Sequence, residues 1–298
     1  MVNVDPSCRS QIVALLRESE SPLSGNEIGQ LLGISRVAVW KHIQQLSSEG
    51  YTLESLRKGY RLLAEPDYLS PSDPVYDPAR VHIMEVVEST MLEAENASVP
   101  EGGVEFWIAR RQLKGRGRGS RPWASPQGGL YCTALFRPVL PAAYCSLYIV
   151  QSGMDIAACL KGEYHIEAVF CWPNEIRVGG AKLGGLLLEI SGKTDNPSRG
   201  ALGLGLYVSS HPEGDEGATT CLTEFCGGAI ERKLFARLKP LLEESLEAPV
   251  PEDICKRWER ESMETVELRD FAGHAVVVRG MALNGSLVAE NSGGDLVE

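Results

Sequence analysis

The stretch Gln112-Leu113-Lys114-Gly115-Arg116-Gly117-Arg118-Gly119-Ser120-Arg121-Pro122-Trp123 alternates three glycines with two arginines. Six cations and no acid fall between Ala109 and Pro122. Glycines so spaced can take positive φ and bring backbone N–H groups up to a ligand. Arginine's forked donors match phosphate or carboxylate oxygens in pairs. These residue types point to an anion-binding loop, mobile until its ligand arrives. A solvated basic loop or a nonspecific RNA-binding tract has the same composition. Further on, Lys182 opens the apolar, glycine-rich stretch Lys182–Ile190. Such a lysine suits a polar anchor at the edge of a buried pocket, and equally a solvated strand end. Ser89 and Thr90 precede a short helical stretch and either cap it or offer hydroxyls to a ligand.

Several elements must position these groups. Strands are expected at Val81–Val87, Val104–Ala109, Gly129–Phe136, Lys182–Ile190 and Gly200–Val208, with a short helix at Met91–Ala97 and a long one at Ala142–Leu160. Cys171–Ile176 reads as a turn. The glycines at 200, 203 and 205 imply that something packs tightly on that strand. A dinucleotide fingerprint is excluded, because the spacing is G-x-G-x-G and Pro122 and Pro126 prevent a following helix. No Gly-Lys-Ser/Thr ends the motif, which excludes a P-loop.

The N-terminal part reads differently. Gln11–Arg17 and Asn26–Leu32 have helical periodicity, and Ser24 stands three residues before Glu27, a capping-box spacing. Gly33 ends the second helix. Ser35 can cap a third from Arg36 to about Ser48, with Val37, Val39, Ile43 and Leu46 toward the core and Arg36, Trp40, Lys41, Gln44 and Gln45 outside. Two strands around Arg57-Lys58-Gly59 complete a winged helix-turn-helix pattern. Ser35, Arg36, Trp40 and Lys41 are the groove-reading candidates, and Arg57 and Lys58 the phosphate contacts. The alternative is a small helical domain for protein contacts.

The 298 residues allow two or three domains. The net charge of -11 argues against nonspecific DNA binding by the whole surface, while residues 1–64 carry seven Lys/Arg and six Asp/Glu. No apolar run approaches the roughly 18 residues of a membrane span, and Met1–Pro6 lacks signal-peptide features. The eight cysteines form no C-x-x-C pair, so zinc is not expected; they read as reduced core residues of a cytoplasmic protein. Three prolines in residues 66–74 suggest a linker at 65–74. Pro251–Glu261 reads as a helix. Short strands follow, including Thr265–Leu268 and Ala275–Val278, with turns at Arg279-Gly280 and Asn284-Gly285.

In this order, Ser35-Arg36 through His42-Ile43, Lys58-Gly59-Tyr60, Glu88-Ser89-Thr90, Gly115-Arg116-Gly117-Arg118, Trp123-x-Ser125-Pro126-x-Gly128, Leu130-Tyr131, Trp172-Pro173-Asn174 and Lys182-Leu183-x-Gly185 resemble a bifunctional biotin–protein ligase and biotin operon repressor. The resemblance covers nearly the whole chain. It implies an α+β fold: a winged helix-turn-helix at 1–64, a linker at 65–74, a mixed-sheet α/β ligase-type catalytic domain at 75–250, and a small SH3-like β-barrel at 251–298. It implies that biotin's carboxylate attacks the α-phosphorus of ATP, with Mg²⁺ accompanying ATP. The resulting biotinyl-AMP acylates a lysine of a biotin carboxyl carrier domain. Fixed cations and N–H groups would stabilise the phosphate charge that builds up.

By this resemblance Ser89, Thr90, Met91, Gln112, Gly115, Arg116, Gly117, Arg118, Lys182 and Gly185 belong to the biotin site. Arg118, Arg121, Trp123, Asn174, Glu175 and Tyr207 belong to the adenylate site. Lys182, Arg118 and Arg116 would be catalytic. Operator DNA would be the second partner, bound by a homodimer that biotinyl-AMP promotes. The chain departs from the usual family pattern at Cys171, Glu175 and Tyr207, and at Met91, where Lys, Asp, Asn and Asn respectively are common. Those departures keep open a biotin-sensing regulator with weak or no ligase activity. A lipoate or octanoate ligase is the enzymatic alternative.

Overall fold

A computed structural model describes residues 6–66, 68–73, 77, 79–212, 218–226, 231–263, 268–269, 275–290 and 296–297. Contacts divide the chain into two compact units, residues 1–83 with 229–233, and 84–228 with 234–298.

The first unit holds three helices, α1 (Pro6–Glu18), α2 (Gly25–Leu32) and α3 (Arg36–Ser48), then the hairpin β1 (Thr52–Leu56) and β2 (Gly59–Ala64). The expected capping box at Ser24 and Glu27 is present, and Gly33 ends α2 at φ +70. The Ser35 hydroxyl accepts the Ala38 N–H at 3.2 Å and so fixes the start of α3; such a cap stabilises by about 1 kcal/mol. One expectation fails. Val37 is exposed, and His42 takes a buried place with Val39, Ile43 and Leu46. These four lie at i, i+3, i+4 and i+7, the spacing of one helix face, so the buried stripe is rotated one step from the expected one. Ile12, Leu16 and Ile28 complete this core. The segment after β2 is not a free linker. Pro66, Leu69, Ser70, Ser72 and Asp73 are buried, and Arg9 holds Ser72 at 2.8 Å while Tyr51 meets Ser70 at 3.1 Å.

The second unit is built on a seven-stranded sheet, order β3-β4-β5-β9-β8-β7-β6. Its strands are β3 (Val81–Val87), β4 (Glu105–Gln112), β5 (Gly129–Phe136), β6 (Ala168–Cys171), β7 (Glu175–Val178), β8 (Ala181–Gly192) and β9 (Pro197–Tyr207). Leu113 N–H donates to Val87 O and Lys114 N–H to Glu88 O. The two chains therefore advance together at this end, which makes β3 and β4 parallel. The remaining pairs are antiparallel, so the sheet is mixed as expected. Helices α4 (Thr90–Glu95), α5 (Ser146–Tyr164), α6 (Glu231–Glu247) and α7 (Pro251–Glu261) accompany it.

After α7 come β10 (Leu268–Arg269), β11 (Ala275–Met281), β12 (Leu287–Glu290) and β13 (Leu296–Val297), a four-stranded antiparallel sheet in chain order. Among the described residues this is a meander, and closure into a barrel is not seen. The expected strand residues Thr265–Glu267 lie outside the described residues. Arg279-Gly280 is no turn but part of β11, where the register shifts; Gly285, at φ +78, is a turn. Trp172 Nε1 donates to Gly285 O at 3.2 Å, and Ser146 Oγ to Asn284 O at 2.5 Å. The Asn284–Gly285 turn thus packs against the start of α5 and the β6–β7 turn. No helix among the described residues is long and apolar enough to cross a membrane.

Candidate active site

A cavity of about 1110 Å³ opens between α4, the glycine–arginine turn, and strands β8 and β9. It exceeds the roughly 300–1,000 Å³ of common ligand clefts, which leaves room for two substrates joined end to end. All fifteen residues expected for the biotin and adenylate sites line it: Ser89, Thr90, Met91, Gln112, Gly115, Arg116, Gly117, Arg118, Arg121, Trp123, Asn174, Glu175, Lys182, Gly185 and Tyr207.

One end is a buried polar network. Gln112 Oε1 accepts the Thr90 N–H at 2.8 Å and the Thr90 hydroxyl at 3.1 Å. Gln112 Nε2 donates to Ser125 Oγ at 2.9 Å, and Thr133 Oγ1 donates to Thr90 Oγ1 at 2.8 Å. Ser89 precedes α4 but makes no capping bond, so its buried hydroxyl is not used on the helix. Thr133 and Ser125 were given no role from the sequence. A threonine in the otherwise apolar strand β5 was the signal that could have found the first.

The middle of the site is apolar and glycine-floored. Gly185 and Gly205 face each other across β8 and β9. A Cβ on Gly205 would lie 2.6 Å from Trp123 Nε1, and one on Gly185 would lie 3.3 Å from the same indole. The bare backbone therefore makes room for Trp123, and Gly203 does the same for Met91, whose Sδ would lie 2.9 Å from a Cβ there. The tight packing expected from glycine spacing is this pair of side chains.

The far end is aromatic and cationic. Trp123 stacks on Tyr207 with ring centroids 5.6 Å apart and planes 11° from parallel. Lys182 Nζ lies 4.8 Å from the Trp123 ring centroid and 2.8 Å from Glu175 Oε1. Lys114, Arg116, Arg118, Arg121 and Lys182 line the cavity against one carboxylate among the described residues, Glu175. An acidic protein thus gathers cations along this cavity, three of them exposed. Burial alone would raise the Glu175 pKa, but hydrogen bonds from Lys182 and Arg177 outweigh it and hold the carboxyl below the usual carboxylate value. The unfolded chain then takes up the proton first as pH falls. The stabilisation from this cluster is complete above the unfolded pKa and is lost as pH drops through the depressed one. Urea unfolding should accordingly show a wild-type advantage over Glu175→Gln that is constant above the ordinary carboxylate range and shrinks as pH falls through and below it; an advantage independent of pH would contradict this.

Some expectations need adjustment. The glycine–arginine run is a closed turn: Trp123 N–H donates to Gly115 O and Gly117 N–H to Arg121 O, both at 2.8 Å, and Gly119 sits at φ +64. The Gly117 N–H is therefore spent on the turn itself. Arg116 directs its guanidinium to Glu189 at 3.0 Å, with Glu95 at 3.7 Å, so its charge is already matched. Arg118 and Arg121 are exposed at the rim. Asn174 uses its side-chain amide on Leu186 O at 2.7 Å and pins the Trp172–Asn174 turn to β8. Arg177, the second cation on Glu175, was not foreseen.

In the first unit, Ser35, Arg36, Trp40 and Lys41 at α3, and Arg57 and Lys58 at the hairpin tip, are all exposed. A large aromatic held in solvent at 52% exposure has no core role.

A model of the biotin/lipoate A/B protein ligase family matches residues 83–206, and a helix-turn-helix domain model matches residues 9–61. "Bifunctional ligase/repressor BirA" of Bacillus subtilis is 32% identical over 241 residues, 75% of this chain and 73% of that protein. The Escherichia coli protein of that name is 33% identical over 205 residues, 67% of this chain and 63% of its own length. Biotin protein ligase from Aquifex aeolicus, solved with biotin and ATP, aligns with a TM-score of 0.55 at 23% identity over 73% of this chain and 95% of that one. The ligase from Leishmania major, solved with biotin, gives 0.56 at 20% identity over 74% and 98%. At those identities the structures speak for the fold alone. With the family model on the sheet that carries the cavity and relatives aligned across three quarters of the sequence, this chain belongs to the biotin/lipoate A/B protein ligase family, in its form with an N-terminal helix-turn-helix.

Proposed function

We propose that this chain activates biotin with ATP and transfers it to a lysine of a carboxyl carrier domain, and that its N-terminal unit represses transcription from operator DNA. The observation that carries the first part is the order of chemistry along one cavity. A hydrogen-bonding end built on Thr90 and Gln112 suits the ureido ring. The apolar middle, where Met91 and Trp123 pack on the glycines of β8 and β9, suits the apolar ring and chain. The cationic, aromatic end at Lys182 and Trp123 suits an acyl phosphate and its nucleotide.

In the first step the carboxylate oxygen attacks the α-phosphorus and pyrophosphate leaves. Lys182 sits where negative charge develops, with Arg118 and Arg121 at the rim. In the second step the acceptor amine attacks the acyl carbon and AMP leaves. No Ser, Cys or His nucleophile is required, because the intermediate is a bound mixed anhydride. Mg²⁺ accompanying ATP would neutralise phosphate charge. The cavity carboxylate Glu175 is engaged by Lys182 and Arg177, so no dedicated carboxylate cage among the described residues would be needed for it. The C-terminal strands, read as part of an SH3-like barrel, help bind ATP and the acceptor domain, and the protein works in the cytoplasm. Biotin-dependent exchange of pyrophosphate into ATP, unaffected by excess lipoate, is the expected result; exchange driven by lipoate instead would overturn the substrate assignment.

On DNA, α3 enters the major groove and the Arg57–Lys58 tip rests on the backbone. Arg36→Ala should cost about 1–3 kcal/mol of operator affinity while barely changing affinity for random duplex. Lys58→Ala should weaken both alike and reduce the salt slope by about one. Fluorescence anisotropy on the two duplexes checks this, and equal losses for both variants on both duplexes would contradict the placement. Biotinyl-AMP promotes the homodimer that spans a palindromic operator; sedimentation with biotin plus ATP is expected to show the dimer, and operator affinity indifferent to both would count against the coupling.

A further inference from the structure

Beside the cavity, and outside the residues assigned to it, His211, Cys221 and Glu224 converge. One ligand atom from each lies within 4.8 Å of the others. His211 Nε2 is 3.0 Å from Glu224 Oε1, and Cys221 Sγ is 3.7 Å from that same oxygen. Tetrahedral zinc, with bonds of about 2.0–2.1 Å to nitrogen and oxygen and about 2.3 Å to sulfur, separates its ligand atoms by roughly 3.3–3.7 Å. The two separations to Glu224 Oε1 stand near those spacings, and the His211 and Cys221 donors, within 4.8 Å of each other, need only a small side-chain adjustment to close on a shared ion.

The surroundings orient the donors outward from their own hydrogen bonds. The Thr219 hydroxyl donates to Pro212 O at 2.9 Å, so its oxygen accepts from His211 Nδ1–H, also at 2.9 Å. That bond holds the ring with Nε2 turned toward Glu224, 3.0 Å from its Oε1. The second carboxylate oxygen, Glu224 Oε2, accepts from the Thr220 hydroxyl at 2.7 Å, which leaves Oε1 turned to the cluster. A partner on the far atom of each ligand is the arrangement that fixes metal-binding histidines and carboxylates. Thiolate, carboxylate and neutral imidazole together carry two negative charges, which one divalent cation cancels.

We propose that His211, Cys221 and Glu224 bind one zinc-type divalent cation, with water in the fourth position. Binding releases to solvent the thiol proton and any proton held between Nε2 and Glu224, and forms the metal–ligand bonds without redox change. The site differs from a C-x-x-C arrangement: its ligands are His211, four residues past the end of β9, and Cys221 and Glu224 around the turn at 221–224. It fastens residues that grip the activating lysine, since Lys182 N–H donates to Ala218 O at 2.8 Å and Thr220 N–H to Lys182 O at 3.0 Å. The proposal stands apart from the biotin assignment, because its test does not read ligase activity.

The full chain, stripped with a chelator and titrated with Co²⁺ alone, should take up one equivalent and develop a thiolate-to-cobalt charge-transfer band in the near ultraviolet. Zn²⁺ should displace it. Cys221→Ser and His211→Ala should abolish the band. Thr219→Val, which removes only the orienting hydroxyl, should weaken binding by about 10–100-fold. Glu224→Gln, a surface change the fold accommodates, should also lose tight binding and guards against misfolding of the other variants. A wild-type protein with no such band, or a band that survives Cys221→Ser, would overturn the proposal.

Discussion

Lys182→Ala is expected to lower the rate of biotinyl-AMP formation by about 100- to 1,000-fold, the loss that follows removal of one preorganised charge stabiliser from a sheltered site. Lys182 is placed for this by three contacts: Glu175 at 2.8 Å, the Trp123 ring at 4.8 Å, and backbone bonds to residues 218 and 220. It cannot swing freely, so little reorganisation accompanies the developing phosphate charge. The effect should fall on kcat for pyrophosphate release, with biotin affinity nearly unchanged, because the hydrogen-bonding end around Thr90 and Gln112 is intact. Lys182→Arg should restore part of the rate. Single-turnover pyrophosphate release beside calorimetric biotin binding separates the two effects. A variant that loses biotin binding but keeps its rate at saturation would place Lys182 in recognition instead.

Gly115→Ala should raise the dissociation constant for biotin by on the order of 100-fold and destabilise the chain by about 1–3 kcal/mol, the usual cost of overpacking. Gly115 is buried, and a Cβ there would lie 2.5 Å from Trp123 O, 2.7 Å from Ser125 Oγ and 3.1 Å from Gln112 Nε2. Two of those groups belong to the polar network and the third to the turn, so the methyl must open one or the other. The neighbouring glycines supply internal controls. Gly119→Ala meets no atom within 4 Å but sits at φ +64, and should cost only about 1–2 kcal/mol of backbone strain. Gly117→Ala meets only Arg121 O at 3.8 Å with ordinary φ, and should be nearly silent. Equal effects at the three positions would mean that the run acts through flexibility rather than through close approach.

The three glycines look alike in sequence and differ in structure, which marks what the sequence could and could not reveal. Local signals were legible. Ser24, Glu27, Gly33 and Ser35 punctuate α2 and α3 by capping chemistry that depends only on near neighbours. Gly129–Phe136 was found whole from its apolar run. The cavity residues were legible as a set through motif types and their order. Contacts between distant elements were not. The Arg116–Glu189 pair joins residues 73 apart, whereas Arg177 and Glu175 stand two residues apart on one face of β7, a spacing already visible in the sequence. The Val37 and His42 error came from ranking residues by polarity, when the helix face at 39, 42, 43 and 46 was the stronger constraint. In α6, Leu234, Phe235, Leu238, Leu242 and Leu246 repeat at helical spacing and are all buried; Pro240 in its interior carries a breaker's signal that masks the helix in sequence and that the packed face overrides.

The central claim is acyl transfer through a bound adenylate, and one measurement meets it directly. The purified full-length chain is incubated with biotin, Mg²⁺-ATP and a purified biotin carboxyl carrier domain, and transfer is read on a streptavidin blot. Labelling of the carrier's single acceptor lysine, dependent on ATP and lost in Lys182→Ala, is the predicted result. Intact biotin binding with no transfer to any carrier domain would contradict the account and leave a biotin sensor in its place.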